Sequence, residues 1–102
     1  MNQDVQYLFA EVRRVSEFRS EVTAIVLLGA EVQGENPMYL EIRFIDYEAL
    51  DIEGDHLIGS LEEAMEYAEI EFGILHDDWR PMSQEEIERI PINLIHINHC
   101  RE

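Results

Sequence analysis

From Val22 to Val32 every even position is apolar: Val22, Ala24, Val26, Leu28, Ala30 and Val32. The odd positions are polar at the ends and carry Ile25 and Leu27 in the middle. Alternation with a period of two belongs to a strand, and apolar residues on both parities at its centre predict burial there on both faces. A chain with such a run has to build a sheet around it.

The following residues supply the neighbour. Gln33-Gly34-Glu35-Asn36-Pro37 gathers turn formers, after which Met38, Leu40, Ile42 and Phe44 alternate with Tyr39, Glu41, Arg43 and Ile45. The two runs are expected to pair as an antiparallel hairpin. After the polar stretch Asp51-Ile52-Glu53-Gly54-Asp55, the sequence Ser60-Leu61-Glu62-Glu63 has the pattern of a capping box, in which the serine side chain and the third-position glutamate satisfy amides that a helix start leaves without partners. Leu61, Ala64, Met65, Ala68 and Phe72 recur at three- and four-residue steps, and Gly73 supplies a left-handed terminus. The spacing predicts an amphipathic helix over about 60–73 whose apolar stripe covers one face of the sheet.

A second box, Ser83-Gln84-Glu85-Glu86, precedes Ile87 and Ile90, and Pro91 stops that short helix near 83–90. The β-branched segment Ile92 to Ile97 is expected to form a final strand. Val5, Leu8, Phe9, Val12 and Val15 fall on one helical face, yet the Val, Tyr and Phe enrichment there suits a strand equally well. Either answer gives an α+β fold with an antiparallel sheet packed by the Ser60 helix. With 102 residues, 46% of them hydrophobic, and no linker, repeat or low-complexity tract, one domain is expected over 1–102.

Charge narrows the partners. The 23 acidic residues face 7 basic ones, all arginine, for a formal charge of -16. Such a chain repels a phosphate backbone, so nucleic acid is not expected as a partner. Met1-Asn2-Gln3-Asp4 offers no positively charged leader, and the longest apolar stretch, Ala24 to Ala30, is far short of the roughly 20 residues of a membrane-spanning helix. A lone cysteine, Cys100, fits a reducing compartment, and a cytoplasmic location is expected.

The sequence has no G-x-S-x-G elbow, phosphate-cradling glycine loop, G-x-G-x-x-G or H-E-x-x-H, and no lysine. A side-chain Schiff base and a P-loop ammonium are thereby excluded. His96, His99 and Cys100 lie close in sequence, but on a strand His99 faces away from both others, and His96 and Cys100 stand about 13 Å apart. Neither a metal nor a cofactor is expected. Asp51-Ile52-Glu53-Gly54-Asp55 lacks the ligand order of a calcium-binding EF-hand loop and is expected to be a solvated acidic loop.

Two groups remain as candidates for binding. His76-Asp77-Asp78-Trp79 combines an imidazole, two carboxylates and the sole tryptophan just past a helix end; it suits a turn with Trp79 folded onto the core, or an interaction edge anchored by that tryptophan. Glu62, Glu66 and Glu69 fall on the helix side opposite its apolar stripe, with Glu63 nearby and no basic residue on the helix. Beyond the first turn such like-charge pairs cost about 0.2–0.5 kcal/mol each. Negative potential gathered on one side of the molecule would steer a basic partner.

Gly59-Ser60-Leu61-Glu62-Glu63-Ala64, Tyr67-Ala68, Phe72-Gly73-Ile74 and Trp79 together resemble the closing helix of small bacterial α+β proteins of unassigned function, some of which resemble immunity proteins of polymorphic toxin systems. The resemblance covers about a fifth of the chain. It implies a stoichiometric inhibitor that covers a toxin's active site, and acidity would suit a basic target. The leading expectation is a non-enzymatic protein-binding module with a basic protein partner, using Glu62, Glu66, Glu69, Asp77, Asp78 and Trp79. One alternative is an enzyme or small-ligand binder built on His76-Asp77-Asp78 with Arg43 or Arg80. Another is a homo-oligomeric structural or regulatory domain, a homodimer for instance, whose contact includes Ile70, about 180° from Leu61 on the helix.

Overall fold

A computed structural model of the chain describes residues 5–31, 34 and 36–90. The elements are β1 (Tyr7–Glu11), β2 (Ala24–Ala30), β3 (Met38–Asp46), β4 (Asp51–Ile58), α1 (Leu61–Phe72), a 3₁₀ turn (His76–Asp78), β5 (Arg80–Pro81) and α2 (Gln84–Arg89). They form one antiparallel sheet in the order β4-β3-β2-β1-β5, with helices packed on it, an α+β fold.

The strand with two apolar faces sits in the middle of that order. Ile25, Val26 and Leu27 are all fully buried. The expected hairpin forms in the register Ala24↔Phe44 through Ala30↔Met38. Ile25 and Leu27 join Leu8, Ala10, Tyr39 and Ile58 on one face, where Ala64, Ala68 and Phe72 of α1 cover them, flanked by Leu61 and Met65. Ala24, Val26 and Leu28 join Phe9, Ile42 and Phe44 on the other, with Met82, Ile87 and Ile90 against them. Val22 departs from the parity of the run and packs on the α1 side. It precedes β2, in a turn closed by its N–H donating to the Arg19 carbonyl at 3.1 Å, so strand alternation does not reach it.

The ambiguous amino-terminal segment is a strand. β1 pairs with β2 from Tyr7↔Leu28 to Glu11↔Ala24 and thereby satisfies its backbone along a sheet edge already present. Residues 51–55 are not a loop, correcting the expectation from their composition. They open β4, which pairs with β3 from Asp46↔Asp51 to Tyr39↔Ile58, with irregularities at Arg43/Phe44 and Phe44/Asp46. Acidic residues and bulges are ordinary on an outer strand, whose geometry comes from its neighbour rather than from its own propensity. Gly54 sits where the Arg43 guanidinium crosses the strand; a Cβ there would lie 2.6 Å from Arg43 Nη2.

The second helix start behaves as its sequence predicts, whereas at α1 only the serine arm of the expected box forms, the Glu63 carboxylate making no bond back to the Ser60 amide. The Ser60 hydroxyl accepts from the Glu63 N–H at 3.1 Å, and at α2 both arms of the box close, Glu86 N–H to Ser83 Oγ and Ser83 N–H to Glu86 Oε1. Gly73 ends α1 at φ 71°, its N–H donating to the Glu69 carbonyl. The predicted strand at 92–97, Pro91, and the His96, His99 and Cys100 group lie outside the described residues. No helix among the described residues is long and apolar enough to cross a membrane.

Replacing Gly73 by alanine forces a Cβ into a left-handed residue and to 3.1 Å from Arg14 Cβ, with an expected loss of about 1–2 kcal/mol in urea denaturation. Ser60→Ala, which removes only a cap bond, should cost about 1 kcal/mol in the same measurement. Parental stability in Gly73→Ala would show that the left-handed terminus does not hold α1 in place.

Candidate functional site

The apolar stripe of α1 fixes which side of the helix faces water. With Ala64, Ala68 and Phe72 turned to the sheet, Glu62, Glu63, Glu66, Glu69, Tyr67 and Ile70 are exposed. Ile70 is 67% exposed, as its position opposite Leu61 predicts. It lies within the row of glutamates, one turn from Glu66 and from Tyr67.

The carboxyl end of α1 is tied to the segment between β1 and β2. The Arg13 and Arg14 N–H groups donate to the Phe72 carbonyl at 3.0 and 2.8 Å. The Arg14 guanidinium donates to the Glu69 and Ile70 carbonyls, so a cation sits where the helix dipole is negative. Ser16 Oγ, itself buried, donates to Glu71 Oε2 at 2.9 Å and accepts from the Phe18 and Arg19 N–H groups. Arg19 completes the joint with a 2.7 Å ion pair to Glu71. These bonds hold Val15 and Phe18, both strongly exposed, on the segment fastened to the last turn of α1. Arg14, Glu66, Glu69, Ile70, Gly73 and Leu75 line an open hollow of about 440 Å³ at this end.

Every arginine among the described residues has partners other than the carboxylates of Glu62, Glu63, Glu66 and Glu69. Arg13 pairs with Asp78, Arg19 with Glu71, Arg43 with Glu41 and Glu53, and Arg80 with Glu86. Arg14 binds helix carbonyls, and Arg89 donates to the carbonyls of Tyr47 and Glu48. Glu62, Glu63, Glu66 and Glu69 have no ion-pair partner among the described residues. Acidic groups are not confined to this face, because Glu11, Glu17, Glu21, Glu31, Glu48, Asp51 and Glu85 are exposed as well. What distinguishes α1 is the coincidence of carboxylates with exposed apolar side chains: Val15, Phe18, Tyr67, Ile70 and Leu75 lie on or beside it, and Leu57 is the other large apolar side chain exposed among the described residues.

The group at 76–79 divides. His76 and Asp77 point into solvent, 3.6 Å apart. Asp78 closes the turn, accepting from the Leu75 N–H at 2.8 Å and from Arg13 at 2.9 Å; the Arg13 bond, helped by that backbone amide, holds its carboxyl below the usual range. Trp79 packs part-buried against the α1-side core, and its Nε1–H is buried without a hydrogen-bond partner among the described residues. The residues of the alternative catalytic reading do not converge. Arg43 lies on the strand face toward α1 with Glu41 and Glu53, whereas Arg80 stacks 4.4 Å over Phe9 on the opposite face. No group of three His, Cys, Asp or Glu among the described residues is placed to hold a metal ion.

Sequence reasoning missed two ionic clusters. Glu41 is buried on β3 beside Arg43, and burial pushes its carboxyl up against the pull of that arginine. Glu86 joins α2 to the sheet, taking a 2.7 Å bond from Arg80 and a 2.9 Å bond from the Tyr47 hydroxyl. The Arg80 bond, with the Ser83 amide and Tyr47 adding to it, lowers Glu86 to about 2, while burial and the Glu86 bond push Tyr47 up to about 12. No spacing in the sequence connects residues 47, 80 and 86; only the capping pattern marks Glu86. Compared with protein-family models, curated proteins and solved structures, the chain matches none.

Because the folded-state pKa of Glu86 is depressed, its contribution is complete above the ordinary glutamate value and is lost as pH falls toward about 2. Glu86→Gln should therefore cost about 1 kcal/mol at pH 6. The gap between the two proteins in urea denaturation should close as pH is lowered through that window. A gap independent of pH would exclude the ionic joint as its cause.

Proposed function

We propose that the chain is a non-enzymatic protein-binding module that presents the outer face of α1 to a basic partner. The observation that carries this reading is the exposed Ile70, set among four glutamates without ion-pair partners, on a helix whose opposite side is fully engaged with the sheet. Exposed apolar groups next to unneutralised charge fit a surface built for contact: the charge steers encounter, and the apolar groups hold the complex once water is expelled. Glu62, Glu66 and Glu69 are the docking carboxylates. Asp77, fully exposed beside them in the chain after α1, extends the acidic border, while Asp78 and Trp79 shape the segment that carries it.

In the more specific form of this proposal the partner is a basic toxin and the chain is its immunity protein, blocking it by occupancy. The resemblance of the Ser60 helix and the acidity support that form. Self-association is a second reading, favoured by the exposure of Ile70, but a formal charge of -16 on each copy opposes it.

Affinity capture from the native host at low and moderate salt should retain a basic protein that salt releases. With that protein in hand, Glu66→Gln/Glu69→Gln should slow association roughly tenfold. Salt-independent binding counts against the reading, and light scattering of a stable dimer supports the second one. A toxin gene directly beside this one is expected for the immunity form.

A further inference from the structure

The apolar part of this surface carries a conclusion about the partner's shape. Resting on the reading of α1 as the docking face, we propose that its occupant is a basic amphipathic helix, which seats apolar side chains against Tyr67, Ile70 and Leu75. Tyr67 and Ile70 are three residues apart, so they form one ridge along the helix, and Leu75 continues the apolar surface past Gly73, where it shares a hollow with Ile70. A partner helix meets such a ridge with residues at i, i+3 or i+4, and i+7. The twelve residues of α1 span about 18 Å, which matches about three turns of the partner.

Charge complementarity selects a basic helix over a second copy of this chain. Glu62, Glu66 and Glu69 border the ridge on one side, and Glu63, one turn before Tyr67, continues its line toward the amino-terminal end of α1. Lysine or arginine flanking the apolar stripe of the incoming helix would meet carboxylates that nothing among the described residues neutralises. Arg14 lines the hollow and donates to the carbonyls of Glu69 and Ile70, so the cations of the incoming helix belong beside Glu62, Glu63 and Glu66, away from that end. A second copy would instead bring glutamates against glutamates.

The test uses the full chain, isotopically labelled, and a synthetic peptide of about four turns with leucines at heptad a and d positions flanked by arginine and lysine. A scrambled peptide of the same composition has no apolar stripe. The stripe peptide should bind at least tenfold more tightly than the scramble, with amide shifts centred on Tyr67, Ile70 and Leu75. Ile70→Ser, at an exposed position that leaves the core intact, should weaken it about tenfold through faster dissociation, while Glu66→Gln/Glu69→Gln should act on the association rate. Equal, salt-sensitive binding of both peptides would overturn the helix proposal and leave a basic partner standing. Absence of binding by either peptide at low salt would overturn both readings, and dimerisation of the chain through Ile70 would overturn the choice of occupant.

Discussion

Burial of β2 on both faces is the constraint on which the other elements depend. Ile25 and Leu27 point one way and Val26 and Leu28 the other. No single layer can remove both sets from water, at a gain of roughly 1.5–3 kcal/mol for each large side chain buried. Strands on either side satisfy the backbone of β2, α1 covers one face, and Met82 with the short α2 packs against the other. The sheet is therefore the middle of the molecule rather than its floor, and each helix turns an outer side to solvent.

Seven arginines in a chain of this charge leave little to neutralise acidic surface, and the described ones sit at joints between elements. Arg19 fastens the β1–β2 segment to α1, Arg43 lies between β3 and β4, Arg80 ties β5 to α2, and Arg14 meets the carboxyl end of α1. Of these bonds the Arg19–Glu71 pair is part-buried and so is screened less by solvent than an exposed pair, which contributes about 0–1 kcal/mol. The same placement leaves Glu62, Glu63, Glu66 and Glu69 without an ion-pair partner among the described residues, with Arg14 bordering them at the carboxyl end of α1.

That division connects stability to the proposed function. The inward side of α1 is apolar, Ala64 and Ala68 allowing close approach to the sheet and Phe72 filling the space at the carboxyl end, so the helix is held firmly as a platform. Its outward side holds groups that cost little in the isolated molecule, namely like charges in water and a short apolar ridge. On docking, both would gain: the carboxylates by meeting cations, and Ile70 and Tyr67 by leaving water. A face of this kind needs no cavity, which accords with the open form of the hollow beside Leu75.

Local signals in the sequence determined much of the scaffold. Period-two alternation marked β2, β3 and their antiparallel pairing, and Ser60, Ser83 and Gly73 set helix ends, because these patterns act over a few residues and do not need the rest of the chain. The exposure of Ile70 and Glu66 was legible for the same reason, since helical spacing alone places them opposite Leu61. Tertiary structure decided what local pattern left open. β1 and β4 are strands because neighbouring strands supplied backbone partners to segments whose own residues suited a helix or a loop. It also decided that Asp78 and Trp79 support the turn rather than project from it, and that Val15, Phe18 and Leu75 gather at the end of α1. Those outcomes depend on hydrogen bonds and ion pairs between residues distant in sequence, such as Arg13 with Asp78 and Ser16 with Glu71, and such contacts exist only after the chain has closed.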